Sequence, residues 1–433
     1  MRTPLLARAH SRRTFVKGAA GIAGAAAWAG YLRDTSVIAA QASGEVRLSG
    51  PTASPEEEDL LRQVLDTFAT QFPDVKVNYQ PVPADYLVKL QTDIAAGNAA
   101  DVFYIKNEFS QDFMSRDVLL AIDDYMAADN VNPADFYESL LNAFKWQGKT
   151  YGLPKDWSPL GMVYDTEALQ NAGVEPPTTW DELKSAAKAI TDASGQPAIV
   201  LDAALDRFIM FLYQAGGNVT NADVTQITLD QPPAKDALDM YYGLYSDGLS
   251  ASSADVGAQW PGDAFAQGLA SIVFEGNWMF PFLKTNAPDK KYGIAELPAG
   301  TQKGTPAFTN SYSIFKGSKN PDAAWVLVNY LTGPEGMATW TSLGLAMPAR
   351  PGLAEDWLKQ YPDRKPYLDS GEYATAVQYG PGGQKFNDDA NAVLQSLYAG
   401  QVDTAEAQTQ LTDAATNDLT LTGTASPEAS PVS

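Results

Sequence analysis

Apolar and polar positions alternate with period two over residues 45–49 (EVRLS), and Gly50-Pro51-Thr52-Ala53 breaks the run, so a short strand is predicted there. Ser54, Pro55 and the glutamates after them read as a helix start, with Ser as N-cap, Pro at the first helical position and Glu at the third. Leu60, Leu61, Val64, Leu65 and Phe68 then recur at helical spacing until Pro73. A strand is predicted over 75–79, a helix over 85–96 closed by Gly97, and a buried strand over 101–105 (DVFYI). This βαβαβ order predicts an α/β protein with a mainly parallel sheet between helices. Ligands of such sheets sit at the carboxyl ends of strands, which makes the loops at 50–54 and 105–109 candidate site loops. Three glutamates, Glu56 to Glu58, open the first helix and cancel much of its pull on an anion.

Farther along, residues 146–154 (WQGKTYGLP) predict a hairpin with a Gly turn, and 161–164 a strand. Thr179 and Glu182 stand in capping-box spacing at the head of a helix. Helices are predicted over 206–213 and 235–246, strands over 270–274, 291–296 and 311–315, and a helix from Asn320-Pro321 to Leu331. The sequence has no internal repeat. Ser313 and Lys316 match the SxxK spacing of serine–lysine acyl enzymes, but the alternation predicts a strand, which points the two side chains to opposite faces.

With 433 residues, at roughly 100–200 per domain, two or three domains are expected. There is no cysteine, and the single histidine is His10. That excludes disulfides, thiolate and histidine metal sites, haem ligation and Ser-His-Asp chemistry for a chain that has lost its first residues. No cofactor motif is present, so none is expected. Residues 1–33 hold six basic residues and no acid, and Arg12-Arg13-Thr14-Phe15-Val16-Lys17 precedes the small and apolar run 18–31. This resembles a twin-arginine export signal with an A-x-A cleavage site at Ala40-Gln41-Ala42, so residues 1–42 are expected to be a signal peptide. The run is shorter than the ~20 apolar residues of a membrane span. No cysteine follows it to carry a lipid anchor, so the product is expected outside the cytoplasm, periplasmic or extracellular. The formal net charge of −22 argues against a nucleic-acid partner. Residues 423–433 (GTASPEASPVS) are expected to form a disordered tail.

Eight tryptophans follow residue 42. Trp180, Trp325 and Trp340 fall on predicted helices beside apolar residues, where core packing is expected. Trp157, Trp260 and Trp278 sit in polar stretches broken by Gly and Pro, where exposed rings suit stacking on a sugar face.

The order of segments also resembles a family. QGKTYGLP at 147–154, then Val163-Tyr164-Asp165, PPTTWDEL at 176–183, Phe265 to Ala270 leading to Glu275-Gly276-Asn277-Trp278, Asn320-Pro321-Asp322, Gly333-Pro334-Glu335-Gly336 and the closing stretch 390–419 resemble the family 1 extracellular solute-binding proteins of ABC importers. The resemblance implies a two-lobe, periplasmic-binding-protein-like α/β fold of type II character, with hinge crossovers. Lobe one would comprise 43–157 and 307–332, and lobe two 158–306 and 333–422. It implies a monomer without enzymatic activity that traps a small-molecule ligand by hinge closure and delivers it to the membrane permease of an ABC importer. The residues carried over as ligand-binding are Thr52, Ser54, Asn107, Glu108, Asp156, Trp157, Ser158, Glu275, Asn277, Trp278, Asn310, Tyr312, Arg350 and Tyr379, with Trp260 added from its setting.

Family ligands include sugars and glycerol-3-phosphate. Among the six arginines after residue 42, Arg350 alone lies in a flagged loop, which favours a neutral sugar. A polyamine or glycerol-3-phosphate remains an alternative, as does a different class, a secreted glycosidase working through paired carboxylates.

Overall fold

The structure is a computed structural model that describes residues 38–39, 41–51, 55–221 and 224–422. The signal segment up to residue 37, the Thr52–Ser54 loop (residues 52–54) and the tail 423–433 lie outside the described residues.

The chain lays down β1 (Gly44–Pro51), β2 (Val75–Val82) and β3 (Val102–Lys106), with β1 in the middle and parallel to both neighbours. The helices Pro55–Gln71 and Tyr86–Ala95 are the crossovers, as the βαβαβ pattern predicts. The chain then leaves this sheet through β4 (Gly152–Pro159) and, after Leu160, enters a second sheet with β5 (Gly161–Asp165). β6 (Ile199–Val200), β7 (Ser250–Ala251), β8 (Ile272–Glu275) and β9 (Tyr292–Ala295) complete it in the spatial order β9–β5–β8–β6–β7. β10 (Thr305–Ile314) returns to the first sheet, antiparallel to β3 and β4, and β11 (Ala374–Ala376) pairs beside it. Two mixed α/β sheets therefore share a chain that crosses between them along β4–β5 and back through β9–β10.

Side-chain caps fix several helix starts. Thr179 Oγ1 accepts from Glu182 N at 3.3 Å, Asp165 accepts from Glu167 N and Ala168 N, and Asp403 accepts from Glu406 N. Helix Pro321–Thr332 is buried on nearly all sides, with Trp325 at its centre, and backs the first sheet. Helix Leu205–Gln214 is buried similarly and contacts β10. Both bury apolar surface without an outward polar face, as helices do between packed layers. Among the described residues no helix is long and apolar enough to cross a membrane.

Three expectations change. The strand predicted over 311–315 begins six residues earlier, at Thr305, because its polar residues Thr305, Thr309 and Ser311 are buried with hydrogen-bond partners. β4 runs on to Pro159, past the hairpin predicted over 146–154, for the same reason: Lys155, Asp156 and Ser158 break any apolar pattern although all eight residues of the strand are buried. The stretch 333–422, expected whole in the second lobe, divides. Helix Pro334–Trp340 packs on Pro55–Gln71 and β11 joins the first sheet, whereas Gly383–Tyr398 and Thr404–Asp418 pack with Pro232–Ser246. Met337 and Trp340 supply the apolar face that takes the first of these helices to the first sheet. Ser313 and Lys316 separate as the alternation predicts, Ser313 bonded to Ser311 inside and Lys316 paired with Asp117 outside.

Asn107, expected as a ligand contact, is a structural tie instead. It is fully buried at the end of β3, donates to Ala307 O and Val377 O, and accepts from Thr309 N at 2.9 Å. Asn107→Ala would leave those groups unpaired, and a loss of about 2–4 kcal/mol is expected in denaturant unfolding.

Candidate functional site

The site begins with an irregularity in β4. Asn310 pairs with Asp156 and Ser311 with Pro154, so Lys155 is an extra residue, a β-bulge. In a regular strand adjacent side chains point to opposite faces. At the bulge Lys155 Nζ instead reaches its neighbour's Asp156 Oδ2 at 2.5 Å. The same oxygen accepts from Trp340 Nε1 at 2.7 Å, and the Lys155 ammonium lies 3.8 Å from the centre of the Trp340 ring and 4.9 Å from that of Tyr104. A lysine and an aspartate, 3% and 6% exposed, are thus neutralised as a pair and held by aromatic rings.

The next two residues fix the crossing. Trp157 Nε1 donates to Pro348 O, and its backbone exchanges two hydrogen bonds with Met347. Ser158 Oγ accepts from the backbone N of Asn277 at 2.8 Å and from its Nδ2 at 3.2 Å, which joins β4 to the segment following β8. Gly161 leaves room there for Tyr367, whose ring a Cβ would meet at 2.9 Å. Tyr367 OH donates to the carbonyl of Glu275.

Glu275 organises the second-sheet side. One carboxylate oxygen accepts from Arg207 Nη2 and the other from Trp278 Nε1, both at 2.7 Å. Gly276 is required because a Cβ would lie 2.2 Å from the Trp278 ring. Arg207 also meets Asp206 at 3.0 Å. Burial alone would lower the Arg207 pKa, but Glu275 and Asp206 outweigh it and hold the guanidinium charged. Burial pushes the Glu275 carboxyl up, opposed by Arg207 and Trp278.

Between these parts lies a cavity of about 390 Å³. Glu57, Lys106 and Glu108 line it from the first sheet, Asp206, Arg207 and Trp278 from the second, and Lys155 to Ser158 and Phe308 to Asn310 from the crossing strands. Trp340, Leu345 and Ala346 complete it. Trp278 meets Phe308 edge-on, with ring centres 6.0 Å apart. The volume falls within the ~300–1,000 Å³ of small-molecule sites. The wall combines aromatic faces with the pairs Lys155–Asp156 and Arg207–Asp206, beside Glu57, Lys106 and Glu108. Among the described residues no cluster of carboxylates is arranged to hold a metal ion.

Of the residues singled out from sequence, Glu108, Asp156, Trp157, Ser158, Trp278 and Asn310 line this cavity. Glu275 and Asn277 are fully buried behind it and act through Trp278 and Ser158. Trp260 lines a neighbouring cavity. Tyr312 is buried edge-on against Tyr104, and Tyr379 against Phe386, because both fill cores. Arg350 is away from the cavity: it donates to Thr332 O, pairs with Asp135 and lies over Phe136. Thr52 and Ser54 lie outside the described residues.

Lys155, Arg207, Asp206 and Trp340 were missed. A bulge has no signature in an alternation count, and Trp340 packs in the core as its apolar neighbours predict while also lining the cavity. Asp206-Arg207 did carry a signal, a charged pair at the head of an otherwise apolar helix.

A family model described as bacterial extracellular solute-binding protein matches residues 53–338. A binding protein of Brucella abortus is 30% identical over 393 residues, covering 86% of this chain and 93% of that protein. The lactose-binding protein of Rhizobium radiobacter is 24% identical over 289 residues, 62% of this chain and 66% of that protein. An ABC substrate-binding protein of Listeria monocytogenes, solved in complex with cycloalternan, superposes with a TM-score of 0.79 at 26% identity, covering 87% of this chain and 98% of that one.

Burial raises the Glu108 carboxyl pKa above its usual 4.5, with Asp206 adding to the rise and Lys106 opposing it. A raised acid pKa means the folded state keeps its proton longer than the unfolded state, so stability falls as pH rises through that window. Glu108→Gln should therefore be more stable than the natural protein at pH 7, and the difference should vanish below about pH 4. Unfolding midpoints measured at both pH values check this.

Proposed function

The chain belongs to the bacterial extracellular solute-binding protein family, and on that premise we propose that it captures a carbohydrate between its two sheets and delivers it intact to an ABC importer. The observation that carries this reading is the cavity wall. Trp278 and Trp340 offer rings to the apolar face of a sugar, beside the paired groups of Lys155–Asp156 and Arg207–Glu275. Aromatic faces and fixed polar pairs together match a ring that is apolar on one face and lined with hydroxyls. The ligands named for the Rhizobium and Listeria proteins, lactose and cycloalternan, are both carbohydrates.

Capture works by population shift. A ligand that touches Glu108, Trp278 and the crossing strands together binds the closed arrangement of the lobes better than the open one, and so favours it. The double crossing through β4–β5 and β9–β10 is the hinge in this reading. The closed form is what the permease recognises. The protein works as a monomer, without catalytic turnover, after export through its twin-arginine-type signal.

Thermal unfolding against a panel of mono- and oligosaccharides, polyamines and glycerol-3-phosphate, with product analysis of each hit, tests the reading. A sugar at 100 times its Kd should add about 2.7 kcal/mol of stability and be recovered unchanged. Cleaved sugar would replace the reading with a glycosidase. A shift with polyamines or glycerol-3-phosphate alone would replace the ligand class. Trp278→Ala should weaken sugar binding about tenfold or more in calorimetric titration, and should also lower the unliganded melting temperature because the buried Glu275 carboxylate loses its indole partner.

A further inference from the structure

A second cavity of about 860 Å³ adjoins the first and shares Trp278 and Leu345 with it. Helix Met279–Asn286 forms one wall, and Trp260, Tyr292 and Tyr361 make much of the rest apolar. Among the described residues Arg364 is the one buried charge that lines it. It is 6% exposed, and its guanidinium carbon lies 3.2 Å from the centre of the Phe280 ring. Its Nη1 stands 3.6 Å from the carboxylate of Asp363, beyond hydrogen-bond reach. Among the described residues, neither its Nε nor its Nη1 has a hydrogen-bond acceptor.

Arg350, the other fully buried arginine, meets a carboxylate and a carbonyl, and the half-buried Arg207 meets two carboxylates with only its Nε left without a partner. A buried cation with idle donors is costly, and an oxyanion offsets that cost better than a neutral acceptor does. The charges of the two cavities point the same way. The first is lined by Glu57, Glu108, Asp156 and Asp206 against Lys106, Lys155 and Arg207. The second is lined by Arg364 and Lys284 against Glu56. One chamber is balanced toward acid and the other toward base, and Trp278 borders both.

We propose that the second cavity is a ligand subsite in which Arg364 receives an oxyanion, a carboxylate or a phosphate, carried at one end of a sugar whose body stacks on Trp278. This rests on the carbohydrate reading above and narrows it from a neutral sugar to an acidic one. Burial pulls the Arg364 pKa down while Asp363 raises it, and the guanidinium stays charged at any physiological pH.

Calorimetric titration of the purified protein decides the matter. The probes are lactose, cellobiose and maltose, each compared with the same disaccharide bearing a carboxylate in place of its non-reducing CH2OH group and with its 6′-phosphate. The expected result is that one acidic series binds about tenfold or more tightly than its neutral parents, and the series that does so identifies the oxyanion. Arg364→Gln should bring acidic and neutral members within about twofold of each other and leave the neutral affinity in place. Equal or tighter binding of the neutral sugars, or an acid preference that survives in Arg364→Gln, overturns the proposal. The comparison on the natural protein needs no variant, so a poorly folding Arg364→Gln does not protect the idea. Neutral binding without acid preference sinks this inference alone. No binding by any member of the panel sinks the carbohydrate reading with it.

Discussion

The site depends on one extra residue in one strand. Without the bulge at Lys155, the side chains of Lys155 and Asp156 would leave β4 on opposite faces, one of them buried without its partner. With it, the two charges meet, and Trp340 donates to the same carboxylate while its ring carries the ammonium. An unpaired buried charge costs several kcal/mol, so the pair and the bulge stand or fall together. The bulge lies where the chain is about to cross from one sheet to the other. The irregularity that shapes the cavity therefore sits next to the connection about which the lobes would move.

Rigid support surrounds that point. Ser158 is tied to Asn277, Trp157 to the backbone of Met347, and Trp278 and Arg207 to opposite oxygens of Glu275. Ser158, Trp157, Trp278 and Arg207 are each oriented by a buried partner that does not itself line the cavity. Preorganisation of this kind lowers the ordering cost of binding. In the first cavity Lys155–Asp156 and Arg207–Glu275 are bonded pairs, with Arg207 Nε and Asn310 Oδ1 left without partners, whereas in the second Arg364 has an acceptor for neither Nε nor Nη1.

The sequence made the supporting framework legible and left the cavity partly hidden. The first helix, the crossover order of β1 to β3 and the capped helix Trp180–Ser194 follow from periodicity and cap chemistry, which are local. The second half of β4 and the first half of β10 do not read as strands because buried polar residues erase the apolar alternation, and only their tertiary partners show why they are there. Trp278, singled out by its motif position and its polar setting, lines the cavity. Tyr312, Tyr379 and Arg350 were misplaced because loop-level matching cannot say which way a side chain points. Arg207 is not legible because it sits on an apolar helix and not in a strand-end loop, and that helix reaches the cavity from the far side of the cleft.

The central claim, intact capture of a carbohydrate at the junction of the two sheets, is tested most directly by native mass spectrometry. The purified protein is incubated with a mixture of neutral and acidic mono- and oligosaccharides, and the bound species is then released and identified. The account predicts a one-to-one complex with an unaltered sugar, lost in Trp278→Ala. A complex that survives Trp278→Ala, a bound fragment of a larger sugar, or no sugar complex at all would contradict it.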